Sequence, residues 1–353
     1  MRDRPAVFVR VEDEDGFTGW GEIWCNFPAC GAEHRARLVA TVLAPLLKGK
    51  QLDEPQIAWA ALTAATSVLA LQSGEPGPIA QCIAGIDIAL HDLMARRAQQ
   101  PLWKLLGGSS PSIRVYASGL NPDQPQRLAA QCRDDGHRAF KLKVGFGADR
   151  DIANIESVRK AVGDRCVLMV DANQAWNLDQ AIEMTAALQR FDLQWLEEPL
   201  RADAPWSEWQ KLASACDIPL AAGENIGDAN AFERALDSRA LSVVQPDIAK
   251  WGGFSGCLTI AKKIIESGAR FCPHFLGGGI GLLASAHLLA AVGGDGLLEI
   301  DANPNPLRTA LCGSLVEISS GVATLTDQPG LGAIVDPSRV DEISRWLCAT
   351  YYY

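Results

Sequence analysis

AFKLKVGF (139–146), CVLMVDAN (166–173), LQWLEEP (193–199) and IPLAAGEN (218–225) stand at near-equal spacing in the middle of the chain. Each is a short β-rich run ending in charged or amide side chains. Amphipathic segments such as DIANIESVRKAV (151–162) and LDQAIEMTAALQRF (178–191) lie between them. The same unit extends outward in both directions. IRVYASG (113–119) precedes it, and LSVVQPD (241–247), ARFCPHF (269–275) and LLEID (297–301) follow. Strand–helix alternation of this kind gives parallel strands joined by right-handed crossovers. Eight units predict an α/β fold with a closed (β/α)₈, TIM-like barrel; an open doubly wound sheet is the rival arrangement.

In a barrel the carboxyl ends of all strands face one mouth. Polar residues fall at those ends: Lys141 and Lys143, Asp171 and Asn173, Glu197 and Glu198, Glu224, Asp247, His274, then Glu299 and Asp301. Asp171, Glu197 and Glu224 sit on three successive runs, 26 and 27 residues apart. Three converging carboxylates repel unless a cation joins them, and an all-oxygen donor set suits Mg²⁺. Each acid taken alone could instead cap the helix that follows it. Lys141 and Lys143, two apart on a strand, point to one face. One would oppose a substrate carboxylate. The other, its pKa lowered by its cationic neighbour, would act as a base. Asp247 and His274 end adjacent runs, and the acid could orient the imidazole.

Outside this region the chain reads differently. VFVRVEDEDGFTGWGEI (7–23) alternates around Asp15-Gly16 as a hairpin does. Helical patterns follow over 33–47, 57–71 and 79–97, the last apolar enough to be buried. The tail from Gly313 returns to strand and turn character. We therefore expect a first domain over 1–110, the barrel over 111–312, and a segment over 313–353 that rejoins the first domain; the family resemblance given below implies that the two ends form an α+β capping domain. LGGGIG (276–281) reads as a βα loop and helix start, with a phosphate-type cradle as the alternative. Trp20, Trp24 and Phe27 read as core aromatics.

The 353 residues are 48% hydrophobic and 21% charged, with a net charge of −10. That balance supports a large core and disfavours nucleic acid as a partner. Ten scattered cysteines without a C-x-x-C pair read as reduced, buried thiols. No secretory leader and no membrane-length apolar run is visible, so the cytoplasm is the expected compartment.

Taken in order, these motifs resemble the enolase superfamily, in its mandelate racemase subgroup. The resemblance rests on IDIALHDLMARRAQQPLWKLLGG (86–108), Lys141-x-Lys143, D-A-N (171–173), W-L-E-E-P (195–199) and G-E-N (223–225). It continues through Q-P-D-x-x-K-x-G-G (245–253), Pro273-His274 and Leu298-Glu299. It implies Mg²⁺ held by Asp171, Glu197 and Glu224, with Lys143 as the base on one face assisted by Lys141. It also implies His274, paired with Asp247, as acid or base on the other face. Glu299 would donate a hydrogen bond to the enediolate. Asn173, Lys250 and Lys141 would bind substrate.

The expected reaction is removal of the proton beside a carboxylate. Dehydration of an acid sugar (an aldonate or aldarate) to a 2-keto-3-deoxy product comes first. Racemisation or epimerisation of a 2-hydroxy acid comes second. A non-catalytic sugar-acid binding barrel is the competing class. A cycloisomerase or amino-acid epimerase ranks lower, because those relatives typically lack the His dyad. The implied partners are a small carboxylate substrate and copies of the chain itself, in a homo-oligomer from dimer to octamer.

Overall fold

The structure is a computed structural model that describes residues 5–50, 54–333 and 335. Strands β1 (Val7–Glu12) and β2 (Thr18–Ile23) form an antiparallel hairpin, with Val7 opposite Ile23 and the turn at Asp15-Gly16. Helices Gly31–Leu38, Pro55–Ser73 and Pro76–Arg97 follow. The first continues through a π-helical turn at Val39–Leu43 into Ala44–Leu47, which covers the predicted 33–47 segment. Val9 and Ile23 of the hairpin pack with Leu43, Leu62, Ile79, Ile83 and Ile86 in a core of their own. The hairpin lies unusually close to helix Pro76–Arg97. A Cβ on Gly21 would fall 1.9 Å from the Gly85 carbonyl oxygen, so the backbone itself is the contact surface.

The eight predicted runs are all strands: β3 (Ser112–Leu120), β4 (Ala139–Lys143), β5 (Val167–Asp171), β6 (Leu193–Glu197), β7 (Leu220–Ala222), β8 (Val243–Val244), β9 (Arg270–Phe271) and β10 (Leu298–Asp301). They pair in parallel in the order β10-β3-β4-β5-β6-β7-β8-β9. The last strand thus returns to the first, and sequence order never reverses along the sheet. A doubly wound sheet would show such a reversal. Between β9 and β10 the closure runs through side chains: the Leu297 amide donates to Cys272 Sγ at 3.4 Å, and the Phe275 amide to Glu299 Oε2 at 3.3 Å.

One apolar cluster explains how the barrel is filled. Tyr116, Ala139, Met169, Trp195, Ala221, Val243, Cys272 and Leu297 pack together, one side chain from each strand or its immediate flank. Large and small residues share the space, with the Tyr116 and Trp195 rings edge to face at 5.5 Å. A larger core binds the strands to the surrounding helices.

Beyond the barrel, β11 (Val322–Thr324) pairs antiparallel with β3 through Ser112–Arg114. The chain then meets helix Pro76–Arg97: the Leu331 amide donates to Asp92 Oδ1 at 2.7 Å, and Arg96 donates to the Ala333 carbonyl at 2.9 Å. The rest of the 313–353 segment, from 336 onward and including Cys348, lies outside the described residues, as do 1–4. The nine described cysteines are all free, with Cys30 exposed, Cys216 half-buried and the others buried. Among the described residues, no helix is long and apolar enough to cross a membrane.

Candidate active site

Strand periodicity builds the site. Side chains two residues apart share a face, so the layer above the apolar plug is fixed by counting forward two. From Tyr116 the count reaches Ser118, from Ala139 it reaches Lys141, and from Met169 it reaches Asp171. From Trp195 it reaches Glu197, from Val243 Gln245, from Cys272 His274, and from Leu297 Glu299. All seven are buried. One further step gives Lys143 and Asp247, while at β7 the count runs from Ala221 through Gly223 to the exposed Asn225. Seven of the eight strands therefore contribute an inward polar residue to one layer, with Gly223 in that place at β7.

Lys141 sits at its centre. Its ammonium group lies 2.6 Å from one oxygen of Glu197, 2.8 Å from Glu299 and 3.9 Å from Asp171. Lys143 pairs with Oδ2 of Asp171, the oxygen that also lies nearest Lys141, so both lysines do share a face. Gln245 donates to Glu197 Oε2 at 2.6 Å, and the Trp195 indole to the same oxygen at 3.3 Å. Ser118 donates to Glu299. On the other flank, His274 Nδ1 lies 2.7 Å from Asp247 Oδ2, and Nε2 meets Glu224. Lys250 lies 3.6 Å from Glu224, 3.3 Å from Asn225 Oδ1, and 4.8 Å from the face of the Trp24 ring. Asn173 lies exposed just past Asp171, whose Oδ1 accepts its backbone amide at 2.7 Å.

The electrostatics follow from this packing. Burial pushes the Glu197 carboxyl up to about 7 against the pull of Lys141. Burial and the neighbouring Glu224 push Glu198 up to about 8. Burial also opposes charge on Glu224, yet His274 and Lys250 hold it well below the ordinary range. Burial opposes the His274 imidazolium too, and Glu224, Glu299 and Asp247 outweigh it, raising His274 well above its usual value. For Lys143 the expected lowering is reversed. Burial and Lys141 do lower it, but the ion pair with Asp171 dominates and leaves it raised. Glu299 is an acceptor here. Although burial resists its ionisation, Lys141 and His274 drive its carboxyl down to about 2, which opposes the donor role expected of it.

Two of the three predicted metal ligands, Asp171 and Glu197, line that layer, and Glu224, one residue off its count, meets it through His274 Nε2. Asp171 and Glu197 are directly paired in the β5–β6 register, and Glu224 lies just past β7. Among the described residues, no group of three or more His, Cys, Asp or Glu side chains stands preset around a metal position. Lys141, Lys143 and His274 lie between the carboxylates and supply the countercharge. The donor chemistry still fits a hard divalent cation. Asp171 and Glu197 are buried and Glu224 is half-buried, all three offer oxygen only and repel one another, and Oε2 of Glu198 is a buried acceptor with no partner among the described residues.

Sequence reading gave no role to Ser118, Gln245 or Glu198. The two-residue count from the plug finds the first two. Glu198 could not be found that way, because the backbone turns into the left-handed region there (φ 39°) and swings its side chain back toward Asn225, whose amide donates at 2.8 Å. The aromatics also differ from expectation. Trp20 and Trp24 are partly buried against the core, but Phe27 is 60% exposed, and Trp24 packs between Phe27 and Lys250.

This arrangement matches known proteins over nearly the full chain. Residues 1–107 match the mandelate racemase/muconate lactonizing enzyme N-terminal domain, and residues 125–339 match the enolase C-terminal domain-like family. The chain belongs to the mandelate racemase/muconate lactonizing enzyme family of the enolase superfamily. A mandelate racemase/muconate lactonizing enzyme from Bordetella bronchiseptica shares 58% identity and superposes with a TM-score of 0.94, over 97% of this chain and 95% of its own. D-Galactarolactone cycloisomerase of Agrobacterium fabrum is 31% identical over 96% of this chain and 91% of its own. An L-talarate dehydratase from Polaromonas, solved with Mg and L-glucarate, is 30% identical with a TM-score of 0.82, over 97% of this chain and 91% of its own. Enolase-superfamily relatives thus include dehydratases, cycloisomerases and racemases, and this family member is an enzyme.

Proposed function

We propose that this enzyme removes the proton next to a carboxylate in a Mg²⁺-dependent reaction, and that the net reaction is dehydration of an acid sugar to a 2-keto-3-deoxy acid. The supporting observation is the placement of Lys141–Lys143 and of Asp247–His274 on separate flanks of one buried carboxylate ring. Asp171, Glu197 and Glu224 would hold the metal ion, which supplies positive charge to the carboxylate as it gains electron density.

Lys143 must be neutral to act as base. The Asp171 carboxylate is what chiefly raises it. A metal ion held by Asp171 would offset that opposition, and Lys141 beside Lys143 favours the neutral form. Lys143 Nζ then takes the Cα proton, and the bonding pair moves into the substrate carboxylate as an enediolate. His274 Nε2 gives a proton to the β-hydroxyl, which leaves as water. The resulting enol tautomerises to the 2-keto acid. Asp247 holds the other ring nitrogen throughout. Glu299 faces the developing charge and needs a proton before it can donate to it. Lys250 and Asn173 stand at the rim, where a hydroxyl-rich substrate would meet them.

Dehydration is favoured because one flank carries a ready acid and the other a latent base. Racemisation would use the same two groups in succession. Cycloisomerisation gains weight from the Agrobacterium relative, despite the His dyad. We also propose that residues 1–110 and 313–353 cap the 111–312 barrel and that the chain forms a homo-oligomer.

The test is a panel of aldonic, aldaric and mandelate-like acids with Mg²⁺ in D₂O, read for 2-keto acid and for deuterium at Cα. Lys143→Ala should lose both signals. His274→Asn should keep exchange and lose keto acid. Exchange without keto acid in the wild type would favour racemisation. No exchange with any acid would favour the binding barrel.

A further inference from the structure

The glycine-rich stretch 276–281 follows His274, and the proposed chemistry makes no use of it. Its backbone forms a cradle, and the cradle is filled by the protein's own capping domain. Glu22, near the end of β2, is 2% exposed. The Gly278 amide donates to its Oε1 at 2.5 Å and the Gly281 amide to its Oε2 at 2.8 Å. These amides open helix Gly279–Val292, whose N-terminal dipole favours a negative charge at that point, while burial opposes it and pushes the Glu22 carboxyl up to about 7.

The glycines leave room for the carboxylate. A Cβ on Gly278 would lie 2.8 Å from Oε1 and 3.0 Å from Oε2 of Glu22, and one on Gly277 would lie 2.9 Å from Oε1. The φ of Gly278 is −82°, a value open to any residue. Two further amides brace the same loop. Asn26, four residues after Glu22, donates to the Leu276 carbonyl at 2.7 Å, and Asn305 donates to the Gly277 carbonyl at 3.0 Å. Just upstream, His274 itself is tied to the end of the preceding strand, β8, through its amide, which donates to the Pro246 carbonyl at 3.1 Å. No hydrogen bond among the described residues links this loop to Lys143.

We propose that Glu22 is a positioning residue for the His274 flank: by capping helix Gly279–Val292 across the domain boundary, it fixes the loop that aims the imidazole and leaves the Lys143 flank alone. The proposal rests on the acid and base roles given above. A carboxylate suits the task because it offers two acceptor oxygens to two converging N–H donors. An amide of the same shape would turn an N–H toward one of them.

Glu22→Gln in the full-length protein with Mg²⁺ is the test. Formation of 2-keto acid should fall about tenfold, the scale on which small misplacements act, while KM and deuterium exchange at Cα stay within about twofold. Gly278→Ala, which pushes the carboxylate out without changing charge, should give the same split. Keto-acid formation and exchange falling together, or neither changing, would overturn the proposal. A substrate-free readout separates it from the proposed function. The His274 ring signals in nuclear magnetic resonance, assigned by their loss in His274→Asn, should move in Glu22→Gln together with lost protection of the Gly278 and Gly281 amides. Unmoved ring signals overturn the positioning role, whether or not any acid is turned over. A wild type inert toward every acid would instead overturn the function alone.

Discussion

His274 Nδ1 lies 2.7 Å from Asp247 Oδ2, across a parallel bridge that joins the ends of β8 and β9. The second oxygen of Asp247 accepts the amides of Ala249 at 2.9 Å and Lys250 at 3.1 Å, so the carboxylate cannot swing away. It therefore sets both the ring orientation and the nitrogen that carries the outward proton. Asp247→Asn should lower keto-acid formation by about 10²- to 10⁴-fold, the range of a displaced general acid. Circular dichroism should show the fold unchanged. A variant within threefold of wild type would remove the dyad from the mechanism.

Metal dependence gives the second prediction. Exhaustive chelation should abolish turnover, and Mg²⁺ should restore it. Asp171→Asn removes one charge from the oxygen set and should weaken Mg²⁺ binding at least about tenfold by calorimetry. Full activity after chelation would refute the assignment of Asp171, Glu197 and Glu224.

Lys141 is 2% exposed and is the shared countercharge of Glu197 and Glu299. Replacing it by Met strands two buried carboxylates. We expect Lys141→Met to lose about 3–5 kcal/mol in urea unfolding, the usual cost of breaking a buried pair from one side. Adding Glu197→Gln should recover part of that loss. If the double variant is less stable than Lys141→Met, the countercharge account fails.

A pH effect on stability should come from a histidine outside the site. His287 is buried between two backbone partners: its Nδ1 accepts the Trp103 amide at 2.9 Å, and Nε2 donates to the Leu331 carbonyl at 3.2 Å. Burial pushes its pKa down from the ordinary 6.5 to about 3. The unfolded chain then binds a proton that the folded chain refuses. This contribution is complete above pH 6.5 and is lost as pH falls toward 3, by up to about 1.4 kcal/mol per unit. His137, lowered by burial to about 4, acts in the same direction. His287→Gln, which can keep both backbone partners, should flatten the decline between pH 6.5 and 5 in denaturant titrations. Parallel curves for variant and wild type would rule the effect out.

How far the sequence carries depends on which residues are asked about. Strand-end residues such as Lys141, Asp171, Glu197 and His274 were legible because a period of two and a repeat near 27 place them on one face at one mouth. Ser118 and Gln245 obey the same count but look like ordinary polar strand residues until the apolar plug gives the count its phase. Glu198 escapes it, because a left-handed backbone turn breaks the alternation. Glu22 was invisible for a different reason: its partners are backbone amides more than 250 residues away, and backbone amides carry no residue signal.

By itself the sequence determined the eight-strand alternation, the hairpin and helices that precede it, and the roll of inward acids and cations, since all of these follow from local periodicity. Tertiary structure alone decided who pairs with whom. It placed Lys141 among three carboxylates, set Lys143 against Asp171 so that its pKa rises where a neighbouring lysine alone would lower it, and brought Glu22 to the helix beside His274. Charges buried at these distances act through space, and their effect depends on separation and burial, which chain order does not encode.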